Sequence, residues 1–486
     1  TNMLQSLVGV VDVFMVGRLG PIAIAAVGMG NVIRMLILVM VLSVSSGAMS
    51  LIAQARGARD PEQMSFVTRQ SISSGTLIGI FLTIVGLLLT DPLLQLANSG
   101  GDPEAIVLGT EYLQIIFYGM IFMVLNIVFN RLMQGAGDTW TPLMLSGSLN
   151  LLNILFNYIF MFGLGPIPAY GLAGAAMGTV LARGLGVTLA LVIIYSGKNV
   201  IKILPGSYLP NWQMFKDIFS IGVPSGVQGL FRNGSRLLLV SIITSTEVGT
   251  YGAAALAIGL QVESLAFMPV LGIIVAATSL VGQTLGKWQP QVARARGKLA
   301  TGLGIVVMIV LITPIIIFAP AILRLFDPSA HPVVLSAGVA YIRINSVFLP
   351  LSAISMVTNG AMRGAGDSMP GLIGTMVFRA IFTLAFAYLL AFPLGFGSMG
   401  VWWAMALGVL CNGIYMIWRW QSGAWRRAYR VAAAAANGKW QRHSQRQPHL
   451  RRRAVPIRDV PHRPKSSHRG RCHRAAIQSC NTWSPA

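Results

Sequence analysis

The chain is a succession of long apolar stretches separated by short polar breaks, and that pattern leaves few folds open. A helix needs about 20 mostly apolar residues to cross a bilayer. Twelve stretches qualify, at roughly 1–17, 22–52, 66–90, 104–133, 139–163, 170–196, 214–244, 250–283, 300–326, 332–361, 368–392 and 398–420. Backbone polar groups in lipid must be satisfied within the segment, so such stretches are helices. Charged residues are only 10% of the 486, against roughly a quarter in a soluble protein. The expected fold class is therefore an all-α integral membrane protein with twelve transmembrane helices. Turn pairs such as Gly20-Pro21, Asp60-Pro61, Asp102-Pro103 and Gly165-Pro166 mark the breaks.

An internal repeat organises these helices. At an offset of 229 residues, Gly20 matches Gly249, Gln54 matches Gln283, Gly57 matches Gly286, Tyr112 matches Tyr341 and Asn130 matches Asn359. Gly135-Ala136-Gly137-Asp138 matches Gly364-Ala365-Gly366-Asp367, and Gly171 matches Gly400. The expectation is two pseudosymmetric six-helix lobes, 1–196 and 214–420, joined by a cytoplasmic linker over 197–213. Two matching lobes suit alternating access to a central site. The seventh helix begins near Lys216, so the offset places the start of its counterpart before Thr1, and the first helix is expected to be truncated.

The formal charge of +22 divides unevenly: 421–486 holds fifteen Lys/Arg and one acid, whereas 1–420 holds twenty-one against thirteen. The basic tail is rich in Pro, Ser, Gln and His without apolar periodicity, and is expected to be disordered. Elsewhere the basic residues alternate. Arg56, Arg59, Arg131, Lys198, Lys202, Lys216, Lys287, Arg294, Arg296, Lys298, Arg363 and Arg419 fall in one set of breaks, and only Arg18 and Arg324 in the other. Twelve against two places the first set, and the C-terminus, in the cytoplasm.

Two acids lie inside apolar runs. Asp12 sits between Val8 and Val16, about half a membrane thickness from the break at Gly20-Pro21. An ionised acid there costs several kcal/mol, so it is neutral, faces a wet cavity or binds a cation; the alternative is a solvated acid near the outer interface. Glu263 fits a second protonation or cation-substrate site, or a partner for Arg236, Arg343 or Arg379. Gly135, Gly137, Gly364 and Gly366 fit helix stops, with Asp138 and Asp367 capping the helices that follow. Three cysteines give no disulfide framework, and His331 is the only histidine before residue 440, so no metal site is expected. No nucleophile elbow, phosphate loop or zinc-protease motif occurs. The reading is that the protein is not an enzyme and needs no cofactor.

Three segments carry a family likeness: Val11-Asp12-Val13-Phe14-Met15-Val16-Gly17-Arg18-Leu19-Gly20, Gln134-Gly135-Ala136-Gly137-Asp138-Thr139 and Arg363-Gly364-Ala365-Gly366-Asp367-Ser368. With Leu280-Val281-Gly282-Gln283-Thr284-Leu285-Gly286, residues 1–420 resemble the multidrug and toxic compound extrusion (MATE) family. The resemblance implies a secondary exporter in the bacterial inner membrane that exchanges drug-like, cationic compounds for protons or sodium ions. It implies that Asp12 is the coupling acid. It also implies a site shared with the fifth helix, where the family has an Asn and an Asp four residues apart. Here those positions hold Asn153 and Asn157, so the second acid is absent and only one group titrates. Thr179, in a Gly-Thr-Val context, resembles the remaining ligand position. The expected partners are small-molecule substrates and the bilayer, with no nucleic acid, and the expected state is a monomer. The rival reading is a flippase for lipid-linked oligosaccharide, which would show a basic central cavity.

Overall fold

The computed structural model describes residues 11–12, 14–97, 103–197, 199–326 and 331–426. The beginning of the first apolar stretch and nearly all of the basic tail lie outside the described residues. Residues 11–12 and 14–17 are helical and form α1. There follow α2 (Pro21–Gly57), α3 (Pro61–Ala97), α4 (Pro103–Tyr118), α5 (Met120–Gly135), α6 (Trp140–Phe162), α7 (Gly171–Tyr195) and α8 (Trp212–Thr244). The chain continues through α9 (Gly249–Gly286), α10 (Pro290–Ile317), α11 (Ala319–Phe326), α12 (Pro332–Gly364) and α13 (Met369–Gly374). A π-helical segment (Thr375–Phe382), α14 (Thr383–Ala391) and α15 (Gly397–Gln421) complete it. Among the described residues eight helices are long and apolar enough to cross a membrane, or nine if the bent pair α4–α5 counts as one span.

Local chemistry sets the helix ends. Pro21, Pro290 and Pro332 open their helices, where a missing N–H is harmless. Asn211 caps α8 by accepting from the amides of Gln213 and Met214, both at 3.1 Å. Gly137 and Gly366 take φ of 92° and 88° just past α5 and α12, a backbone region that suits glycine. Asp138 Oδ1 then accepts from the amides of Trp140 and Thr141 at 3.1 and 3.0 Å, capping α6. Asp367 is 3.8 Å from Arg419 and accepts from the Met369 amide. The motif glycines and aspartates thus stop one helix and start the next.

Three details depart from the sequence reading. The fourth stretch is two helices bent by 52°; the break falls at Gly119, where a Cβ would run into Val180. The ninth breaks at Phe318 into α10 and α11, and the eleventh contains the π segment. The repeat also shifts register near its end. Trp140 and Met369 start equivalent helices 229 residues apart, but α7 and α15 start at Gly171 (φ 57°) and Gly397 (φ 54°). The preceding loop is three residues shorter in the second half. Gly171 therefore pairs structurally with Gly397, not with Gly400.

Among the described residues, one apolar core is drawn from between Met15 and Ile201 and another from Leu239 to Ala404. The segment between α7 and α8 is strapped to α3: Ser65 Oγ and Arg69 Nη1 donate to the carbonyl of Leu204, and Gln70 exchanges hydrogen bonds with Leu209 and Asn211.

The halves meet in a reciprocal clasp. Gln54 Nε2 on α2 donates to the carbonyl of Gly364 at 3.0 Å, and Gln283 Nε2 on α9 donates to that of Gly135 at 3.1 Å. Ser50 Oγ reaches the Arg363 carbonyl at 2.6 Å, and Ser279 Oγ reaches that of Gly135 at 3.0 Å. Each glutamine thus satisfies a carbonyl that the other half leaves open at a helix end. A Cβ on Gly57 would overlap the Gln283 carbonyl, and one on Gly286 that of Gln54. Glycine is required at this crossing because backbone meets backbone. A net hydrogen bond is worth about 1 kcal/mol, so losing both glutamines shifts the closed equilibrium by roughly 2 kcal/mol, or about thirtyfold. Ala53 is fully buried between the halves. A cysteine placed there (Ala53→Cys) should resist a membrane-impermeant thiol reagent in the parent and react in the Gln54→Ala/Gln283→Ala background. Equal labelling in both would show that the clasp does not hold the halves shut.

Candidate functional site

The helices around α6 bring the sequence-derived residues into one network. Asn157 Nδ2 donates to Asp12 Oδ1 at 3.0 Å. Asn153 Nδ2 donates to Thr179 Oγ1 at 3.1 Å and to Asn157 Oδ1 at 3.4 Å. Four polar side chains from α1, α6 and α7 are therefore continuous, within largely apolar helices. Asn157 is 2% exposed and Asn153 9%; Asp12 and Thr179 are half-buried.

Close packing of α6 on α7 makes the network possible. Spacing of four sets Asn153 and Asn157 on one face of α6. Gly174 and Gly178 present the matching face of α7. A Cβ on Gly178 would lie 2.7 Å from the Asn157 amide nitrogen and 2.8 Å from the Phe156 carbonyl carbon, and would overlap Asn157 Oδ1; one on Gly174 would strike the Phe160 carbonyl. Small residues at this spacing let membrane helices approach closely.

Chemically, the network is a carboxylate with a neutral donor aimed at it. An amide N–H stabilises the ionised form of Asp12 without adding charge. The remaining carboxylate oxygen, the amide carbonyls and the Thr179 hydroxyl are hard oxygen donors of the kind that coordinate a small cation. Among these residues Asp12 alone titrates.

The second half does not reproduce the site. Positions 229 residues on from Asp12, Asn153 and Asn157 are Ser241, Phe382 and Phe386, and the two phenylalanines stack at 4.1 Å. At the shifted register of α15, Met405 occupies the position of Thr179. Glu263 lies elsewhere, half-buried on α9. It accepts a hydrogen bond from Tyr341 Oη at 2.7 Å, with Arg236 and Arg379 in electrostatic range and Arg343 not among its neighbours. Tyr341 was not expected as its partner, although the pairing with Tyr112 in the repeat singles it out. Gln228, which bonds Thr375 and Asn359, was also missed; the repeated Asn359 was the available signal.

A bundle of apolar helices with this internal repeat and an embedded carboxylate network defines a multi-span membrane protein of the transporter class. The MatE family model matches residues 1–159 and 224–389, and the chain belongs to that family. It is 29% identical over 429 residues to "Probable multidrug resistance protein NorM" of Thermotoga maritima, covering 88% of this chain and 90% of that one. It is 29% identical over 425 residues to "Multidrug resistance protein NorM" of Burkholderia vietnamiensis, covering 85% and 89%. A solved structure described as the outward-facing conformation of a multidrug resistance MATE family transporter of the MOP superfamily superposes with a TM-score of 0.79. Its identity is 26%, and the match covers 87% of this chain and 93% of that one.

Gly178→Ala gives the site's simplest test. The added methyl must push α7 from α6 and displace the Asn157 amide from Asp12. The variant should insert and elute normally on size exclusion yet transport at roughly a tenth of the parent rate or less. Parental transport by a well-folded Gly178→Ala would show that the tight α6–α7 contact is not needed.

Proposed function

We propose that this protein is a secondary active multidrug exporter that exchanges drug-like, cationic compounds for protons or sodium ions by alternating access. The observation that carries the proposal is the carboxylate of Asp12 held by Asn157 within apolar helices. Family membership and the names of the relatives support the multidrug reading. The basic-residue bias supports a bacterial inner-membrane protein with its C-terminus in the cytoplasm. We take it to act as a monomer, without cofactor and without nucleic acid, its partners being the cargo and the bilayer.

Asp12 is the exchange point. With the halves clasped at their cytoplasmic ends, the ionised carboxylate meets the outside, keeps the Asn157 hydrogen bond and takes up a proton. Protonation removes its hold on a positive cargo group, and cargo leaves. In the opposite state the cargo cation displaces the proton to the cytoplasm. With Asn157 in place of a second acid, one proton per site is the simplest exchange, and the oxygen set of Asn153, Asn157 and Thr179 is the frame in which sodium would substitute. Glu263 provides a second candidate protonation or cargo contact.

Everted vesicles test this directly. The parent should dissipate an imposed proton or sodium gradient when a cationic substrate is added, and Asp12→Asn should abolish that response while leaving expression unchanged. Gradient-coupled transport by Asp12→Asn would refute the role assigned to Asp12. A second variant fixes the sign of the pH dependence. Asn157→Asp places a second carboxylate at the hydrogen-bonding distance of 3.0 Å now filled by the amide. Like charges that close share a proton, so one of the pair titrates at higher pH. The transport–pH profile should move to higher pH, where Asp12 alone is already deprotonated; a shift to lower pH would contradict the assignment.

A further inference from the structure

The second half carries a different chemistry at membrane depth. Gln228 ties three helices together: its Nε2 donates to Thr375 Oγ1 on the π segment at 2.9 Å, and its Oε1 accepts from Asn359 Nδ2 on α12 at 3.1 Å. Arg232 stands one turn further along α8 and Arg236 two turns further, while Arg379 lies four residues beyond Thr375. Arg232 and Arg379 thus each stand four residues beyond a member of the Gln228–Thr375 bond, and they lie within electrostatic range of one another. Arg379 has Arg232, Arg236, Glu263 and Tyr341 in electrostatic range. Thr383 Oγ1 reaches back to the Phe378 carbonyl at 2.9 Å across the π turn, and π turns within α-helices recur at binding sites.

These cations lack partners to match. Among the described residues none of Arg232, Arg236 and Arg379 forms an ion pair or hydrogen bond through its guanidinium. The carboxylate in their midst, Glu263, is held by Tyr341. Arg232 and Arg236 are nevertheless exposed at mid-length of a spanning helix. Ionised guanidinium is too costly to leave in hydrocarbon, so these side chains border a wet space. The three guanidiniums outnumber the one carboxylate, and Arg363 adds a further cation in electrostatic range of Arg232, so the cluster favours a multiply charged anion. The guanidinium fork matches the oxygens of phosphate and engages them in pairs. Asn150 is the first-half counterpart of Arg379, so the polarity is not a property of the repeated scaffold.

We propose that Arg232, Arg236 and Arg379 form an oxyanion site in the C-terminal half that binds a phosphate-bearing ligand, either the headgroup of a lipid or a soluble phosphate ester. The site goes beyond cation-coupled export of drugs and does not depend on the role of Asp12. Its test uses no ion gradient, so its failure is distinguishable from failure of the exporter reading.

The full chain is reconstituted in nanodiscs of pure phosphatidylcholine, and phenyl phosphate is titrated by calorimetry. A parallel preparation contains phosphatidic acid, and lipid retained after detergent extraction is measured by mass spectrometry. Binding of phenyl phosphate identifies a soluble ester as a ligand; retention of phosphatidic acid without phenyl phosphate binding identifies a lipid headgroup. In either arm Arg232→Gln and Arg379→Gln should weaken binding on the order of tenfold, with Arg379→Lys in between, because lysine keeps the charge and loses the fork. Glu263→Gln removes the opposing carboxylate and should tighten binding, a gain that misfolding does not produce. The proposal is overturned if neither probe binds, or if both arginine-to-glutamine variants bind within about twofold of the parent, well inside the expected loss.

Discussion

The exporter reading depends on how a carboxyl group is accommodated where water is scarce. An ionised acid at membrane depth costs several kcal/mol, and Asp12 meets that cost with a hydrogen bond from the Asn157 amide at 3.0 Å. A neutral donor matters here. An arginine in its place would favour the ionised form strongly, whereas the proposed exchange needs a carboxyl group that can give up and regain its proton. The surrounding structure supports this contact: Gly178 lets α7 pack against α6, and Asn153 bonds both Asn157 and Thr179.

The repeat supplies a scaffold twice but not the same chemistry. Gln54 and Gln283 perform the same act on opposite halves, each satisfying the terminal carbonyl of the other's glycine motif. Reciprocal contacts of this kind are what duplicated halves provide when they close on one another. The interior positions, in contrast, have diverged. Where the first half has Asn153 and Asn157, the second has the stacked pair Phe382 and Phe386, and its polar groups are arginines around Glu263. A duplicated fold constrains helix ends and crossings, which must fit backbone to backbone. It leaves cavity-facing side chains free to specialise.

That distinction also explains what was legible beforehand. The glycine stops at Gly137 and Gly366 and the capping aspartates follow from local rules, and the structure places them where residue patterns did. Asp12 stood out as an acid in an apolar run, and family likeness joined it to Asn153, Asn157 and Thr179, which lie far from it in sequence. The bend at Gly119 was hidden because the close approach of Val180 there comes from another helix. The pairing of Gly171 with Gly400 failed because a three-residue loop difference is invisible to a fixed offset. Glu263 was surrounded by three candidate arginines in the sequence, and the hydrogen bond went instead to Tyr341, because helix packing selects the partner.

The central claim concerns a proton on one side chain, and it can be read without transport. Purified protein in lightly buffered detergent solution, near the pH of half-maximal activity, is mixed with a cationic substrate while a pH-sensitive dye is followed. The account predicts that binding releases a proton in the parent and none in Asp12→Asn. Tight substrate binding with no proton release, or with release that survives removal of the Asp12 carboxyl, would contradict it.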